Sequence, residues 1–189
     1  MRAPSQPELY RPRLTYPDMP YGAMLDRPVM LYPEREAIAF KDTSITFREL
    51  EGLVNAFANT LRGLGIGRGD RVCLFMTNRP EYVIAFYAIA RLGAVSSPMN
   101  PSYKEREAAY QLGDAQAVAV VVQQDLLPIV RAVRGEAPRL KHVIVVGAGA
   151  APGPTTMTCL SRGTSPRTAR TIASRSCCTT TATAWASPS

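Results

Sequence analysis

The stretch that decides the fold is 78-NRPEYVIAFYAIARLGAVSSPMNPSYKEREAAYQLGDAQAVAVVV-122. Its apolar residues change period along the run. Over Pro80–Leu92 they recur at helical spacing, with Asn78 as the predicted cap. Ala94–Pro98 has strand length. Ser102-Tyr103-Lys104-Glu105 has the form of a capping box and opens a helix to about Leu112. Ala117–Val122 is Val-rich and reads as a strand buried on both faces.

The alternation continues outward. Upstream, Val72–Met76 is a short apolar strand. Before it lies the clearest helix of the chain. Thr46-Phe47-Arg48-Glu49 forms a capping box, and Leu50, Leu53, Val54, Phe57, Leu61 and Leu64 share one face behind it. Gly63, Gly65, Gly67 and Gly69 then stop that helix. Ala37–Phe40 and Ser44–Thr46 read as a hairpin. Downstream, Asp125–Val133 is helical with Pro128 in its first turn, and His142–Val146 is a fourth strand. Strands alternating with helices predict an α/β fold, a parallel sheet covered by helices on both faces.

Three segments follow. Residues 1–28 are Pro-rich and predict an irregular arm, with a short helix near Tyr21–Leu25. Residues 29–150 carry the alternation. Residues 151–189 hold ten Thr and six Ser and no Asp, Glu, Lys, Val, Phe or Tyr, too little apolar surface to offset ordering entropy, so a disordered tail is expected.

The net charge of +7 suggests a polyanion partner until its distribution is examined. Residues 1–150 carry 18 Lys/Arg against 15 Asp/Glu, and the tail adds four Arg. No basic run of five occurs, which argues against nucleic acid. The amino terminus has no signal-like apolar stretch and no apolar run approaches 18 residues, so no transmembrane segment and a cytoplasmic location are expected. Cys73 sits in an apolar run and reads as a buried thiol, while Cys159, Cys177 and Cys178 fit neither a metal site nor a disulfide framework.

Other candidates for chemistry give way to structural readings. Gly147-Ala148-Gly149-Ala150-Ala151-Pro152-Gly153 resembles a dinucleotide loop, but it follows the fourth strand, contains Pro152 and has no acidic residue after it. His142 is the only His, and it reads as a surface or strand-edge residue. Tyr82, Phe86 and Tyr87 read as core or helix packing rather than a substrate-tunnel wall, and Arg79 and Arg91 as cations on solvated or partly buried helix surfaces. The Arg-containing tail leaves open a phosphorylatable or anion-binding arm.

Several of these motifs together resemble the adenylate-forming (AMP-binding) enzymes, in the acyl-CoA synthetase, fatty-acid–CoA ligase branch. They are Ile45-Thr46-Phe47-Arg48-Glu49-Leu50, Gly69-Asp70-Arg71-Val72, Asn78-Arg79-Pro80-Glu81, Leu92-Gly93-Ala94, Pro98-Met99-Asn100-Pro101 and Leu140-Lys141-His142-Val143-Ile144-Val145-Val146. The resemblance implies the amino-terminal part of the large lobe of a carboxylate–CoA ligase. Such enzymes use ATP, Mg2+ and CoA to make an acyl-adenylate and then a thioester. Their phosphate loop, ribose-binding acid, Mg2+-binding Glu and mobile-domain Lys match no position here. The expectation is therefore no catalytic, cofactor-binding or metal residue, no cofactor for this fragment, and no activity alone. The sheet is expected to keep an exposed apolar face, suited to self-association or to a complementary synthetase fragment. An unrelated nucleotide-binding α/β protein is the rival reading.

The tail carries one more expectation. Cys177-Cys178-Thr179-Thr180, shifted by one nucleotide, allows Leu-Leu-x-Tyr-like codons, the sequence that precedes the family's phosphate loop. Trp185-Ala186 shifts to allow a Gly. The family's intervening Gly-Thr-Thr does not come back cleanly, and residues 151–189 read as a frameshifted or diverged pseudogene-like product.

Overall fold

A computed structural model of the chain describes residues 18–41, 43–147, 157–161, 170–172 and 179–180. Four parallel strands form its centre: β3 (Arg71–Phe75), β4 (Val95–Pro98), β5 (Ala119–Gln123) and β6 (His142–Val146). Their spatial order is β4-β3-β5-β6. Val72 pairs with Ser96 on one side and Ala119 on the other, and Val120 pairs with Val143. The predicted α/β class and parallel sheet hold.

Strict alternation along each strand divides the core in two. Val72, Leu74, Ala119, Val121, Ile144 and Val146 face one helical layer. That layer is α2 (Phe47–Gly63) and α3 (Pro80–Arg91). Cys73, Phe75, Val120, Val122, Val143 and Val145 face the other, made of α4 (Glu105–Asp114) and α5 (Leu127–Val133). Both sheet faces are covered, so the expectation of a bare sheet face is not met. The helices predicted from periodicity are long enough to close it.

Local chemistry explains the boundaries and two shifts from expectation. At Thr46 the capping box forms as predicted: Glu49 N–H donates to Thr46 Oγ1 at 3.2 Å and Thr46 N–H donates to Glu49 Oε2 at 3.0 Å. Asn78 is not the cap of α3. Pro80 occupies the first turn, drives Arg79 into an extended conformation (φ −159°, ψ 159°), and makes Arg79 the N-cap. Ser102 is not the cap of α4 either. Its N–H donates to Asn100 Oδ1 at 2.9 Å, so the chain stays in a turn and the helix starts after Lys104. There Glu107 Oε2 accepts from Lys104 N–H at 3.1 Å.

β1 (Glu36–Phe40) and β2 (Thr43–Thr46) form the predicted antiparallel hairpin, a separate two-stranded sheet. Residues 1–17 of the predicted arm lie outside the described residues, and from Asp18 on the arm is more regular than its prolines suggest. A 3-10 turn spans Tyr21–Ala23, and α1 spans Asp26–Leu31 with Pro28 in its first turn, where a missing N–H costs nothing.

Beyond Gly147, the described residues form β7 (Met157–Ser161), β8 (Arg170–Ile172) and β9 (Thr179–Thr180). β7 runs antiparallel to β6, with Val146 opposite Met157 and His142 opposite Ser161. At these residues the chain is extended and paired, where composition predicts no regular structure. Backbone pairing at the open edge of β6 requires no apolar periodicity, which explains the departure. The remaining tail positions lie outside the described residues.

Candidate functional site

In open α/β sheets, ligands bind outside the carboxyl ends of the strands, where successive connections leave in opposite directions. Here β4 lies on one side of β3 and β5 on the other, so that point falls between β3 and β5. The residues at or just past these strand ends include Thr77, Asn78, Arg79, Gln123, Asp125 and, past β6, Gly147.

Side chains tie this rim together. Thr77 Oγ1 donates to Gln123 Oε1 at 2.8 Å and Thr77 N–H donates to the same oxygen at 3.2 Å. Gln123 Nε2 donates to Asp125 Oδ2 at 3.1 Å. Arg79 makes a two-pronged ion pair with Glu81, through Nε to Oε2 at 2.9 Å and Nη2 to Oε1 at 3.2 Å. The Glu81 side chain is 6% exposed, and Glu81 is the only buried charged residue among those described. Gly147 leaves β6 with φ +83°, and a Cβ there would lie 3.6 Å from Arg79 Nη2. The guanidinium thus sits over the exit of the last parallel strand. It spans two elements 68 positions apart in sequence, a contact no local pattern reveals.

The chemical meaning follows from that pairing. Glu81 offsets the charge of Arg79, and the pair acts as a structural post beside the strand end. Among the described residues, no group of three His, Cys, Asp or Glu could hold a metal ion. No helix among them is long and apolar enough to cross a membrane.

The other candidates lie elsewhere. His142 opens β6 at the opposite, amino end of the sheet. Burial chiefly, with Lys141 and Arg134 nearby, pushes its pKa down, so it favours the neutral form. Cys73 is fully buried, and burial pushes its thiol up to about 11 despite a hydrogen bond with Ser97, which leaves it protonated and inert. Of the Gly147–Gly153 run only Gly147 lies within the described residues, and Cys177, Cys178 and Trp185 lie outside them. Tyr82 and Phe86 stack at 6.4 Å between centroids, and Tyr21 packs edge-on to Phe86 at 5.5 Å and stacks on Tyr87 at 6.1 Å. These rings are helix packing, as predicted. Arg91 is partly buried, with Nη2 2.6 Å from Asp26 Oδ1 and 3.4 Å from Glu51 Oε1, and a further bond to Asn55. It clamps the arm to α2 and α3, a role its sequence position does not announce.

Known proteins share this arrangement. The AMP-binding enzyme signature matches residues 25–179, a span that runs past Val146 into the tail. A long-chain-fatty-acid–CoA ligase of Haemophilus influenzae is 38% identical over 127 residues, 67% of this chain and 22% of the relative. An anthranilate CoA ligase solved with anthranoyl-AMP superposes with a TM-score of 0.66 at 32% identity, covering 70% of this chain and 26% of that one. The N-terminal domain of FACL13 from Mycobacterium tuberculosis superposes with a TM-score of 0.63 at 25% identity, covering 74% of this chain and 43% of that one. The chain spans about a quarter of the length of the curated relatives it matches. With the signature over most of its length and the same subdomain in solved ligases, this chain belongs to the AMP-binding enzyme family.

Proposed function

We propose that the chain supplies the amino-terminal α/β scaffold of a carboxylate–CoA ligase and that the 189 residues alone do not form an acyl-adenylate. The observation that carries the second half is the Arg79–Glu81 pair, which neutralises the cation at the carboxyl-end rim instead of leaving it for phosphate. Long-chain fatty acids and anthranilate appear in the names of its relatives, which supports a carboxylic acid with an apolar body as the substrate of the complete enzyme.

Titration calorimetry with Mg2+–ATP, alongside ATP–pyrophosphate exchange with palmitate and anthranilate, tests this reading. Neither binding nor exchange is expected from the isolated chain. Saturable ATP binding in the micromolar range would overturn it and favour a self-sufficient nucleotide-binding protein.

We also propose that part of 151–189 is family sequence in a shifted frame. The shifted codons of Cys177–Thr180 support it, and the family match reaching Thr179 in the present frame weighs against it. Resequencing the gene and its downstream region decides: an in-frame continuation with no synthetase sequence in the alternative frame ends the proposal.

A further inference from the structure

Three arginines among the described residues are paired with carboxylates: Arg48 with Glu34, Arg79 with Glu81, and Arg91 with Asp26 and Glu51. The amino ends of the parallel strands are built differently. There Arg71 Nη1 and Arg139 Nη1 both donate to one neutral acceptor, Gln116 Oε1, at 3.4 and 3.1 Å. Neither guanidinium has an ion pair among the described residues. Asp114 and Glu136, in the segments leading to β5 and β6, bond to neither, and Asp70 turns back to accept from Gly67 N–H at 2.9 Å. Two like charges therefore share one partial negative charge, although they repel each other.

The backbone holds them there. Arg71 opens β3, and its C=O accepts from Val118 N–H at 2.9 Å. Gln116 sits at φ 48°, in the left-handed region that Gly or Asn usually fills. Lys141 lies across β5 from Arg71, its N–H donating to Val118 C=O at 2.9 Å. Arg71 and Lys141 share the alternation phase of Cys73 and Val143, so both lie on the same side of the sheet. Arg71, Gln116, Arg139 and Lys141 are all exposed.

We propose that Arg71, Arg139 and Lys141, arranged around Gln116, bind a free, multiply charged phosphate-type anion such as inorganic phosphate or pyrophosphate. Guanidinium forks match paired phosphate oxygens, and a bound oxyanion gives both arginines a charged acceptor in place of an amide. Three cations suit a multiply charged anion better than a single carboxylate. The site lies at the opposite end of the strands from the Thr77–Gln123 rim and does not rest on the scaffold function. Mg2+ offsets the phosphate charge that this site reads, so its ligand is the free anion and not Mg2+–ATP.

The test follows the melting temperature of the full 189-residue chain in pyrophosphate, inorganic phosphate and Mg2+–pyrophosphate, with potassium chloride holding the ionic strength constant. Free pyrophosphate should stabilise the chain with a half-point of about 1 mM, and its Mg2+ complex should act more weakly. A lower half-point for pyrophosphate than for phosphate marks a diphosphate ligand and equal half-points a monophosphate; both uphold the site. Arg71→Gln with Arg139→Gln should raise the half-point at least about tenfold. Arg27→Gln with Arg106→Gln removes the same charge from exposed positions on the arm and at the start of α4, and should leave it unchanged. Gln116→Glu supplies a built-in counterion, so it should raise the melting temperature without anion and abolish the response to pyrophosphate. A wild-type chain that does not respond to pyrophosphate overturns the proposal, and so does equal weakening by the two double substitutions. If the Arg71–Arg139 variant does not fold, Gln116→Glu decides alone, and a wild-type response in it overturns the proposal. Flotation with phosphatidylglycerol vesicles that the Arg71–Arg139 substitutions abolish, without a response to pyrophosphate, assigns the cluster to lipid and overturns it as well.

Discussion

The two faces of the parallel sheet are built from the same strands but not to the same depth. On one, the 17-residue α2 and 12-residue α3 bring Phe57, Leu61, Ile84 and Ile89 against the sheet, and the arm then lies over them as a further layer. On the other, the 10-residue α4 and 7-residue α5 bring mainly Ala and Val, with Leu112 and Leu127. The first face also holds the charged cross-links: Arg79 with Glu81, and Arg91 with Asp26 and Glu51. One set of strands can thus end in a thin cover on one side and in a deeper stack on the other. The difference lies in the helices and in what is tied to them.

That contrast can be broken experimentally, beginning with the largest effect. Phe57→Ala should cost about 3–5 kcal/mol in urea unfolding, while Val130→Ala on α5 should cost only about 2 kcal/mol. Equal losses would mean that the two faces contribute alike. Glu81→Gln should come next. It leaves the Arg79 guanidinium with a weaker partner beside the exit of β6, at a cost of about 1.5–3 kcal/mol in the same assay. Wild-type stability in that variant would show the ion pair to be dispensable. Gly22→Ala should force a methyl group into the Ala90 backbone and lose about 1–3 kcal/mol. Hydrogen exchange should show protection lost first in 18–32, and uniform loss across the sheet would contradict a separable outer layer.

The smallest effect is a pH dependence. His142 shares the alternation phase of Ile144 and Val146 on the first face, and its pKa lies below the usual value of 6.5. Between the folded pKa and 6.5 the unfolded chain binds more protons, so this contribution is complete above 6.5 and is lost as the pH falls through that window. Urea titrations from pH 7.5 to 5 should show the decline, and His142→Gln should flatten it. A slope unchanged by the substitution would assign the decline to carboxylates.

Much of this architecture was legible because it is local. The Thr46–Glu49 box, the apolar face of α2 and the β6 run each depend on residues within a few positions of one another. Local rules also misplaced two caps, at Asn78 and Ser102, by not weighing the proline at Pro80 and the Asx turn at Asn100. The short helix α1 escaped notice because Pro28 reads as a breaker until its place in the first turn is known. The family resemblance was legible for a different reason: the order and spacing of its motifs cover most of the parallel sheet, and the match over 25–179 bears it out.

The site was less legible than the fold. Nothing near Arg79 in sequence signals that its guanidinium lies over Gly147, and Gln123 gives no hint that it accepts twice from Thr77. The sequence by itself determined the helices, the strands and the family, because hydrophobic period and capping act within a turn or two. Only the tertiary structure decided the strand order, the ion-paired rim and the apolar strip on the arm. Each of these depends on which distant segments share space, and that follows from burying two apolar faces of one sheet at once.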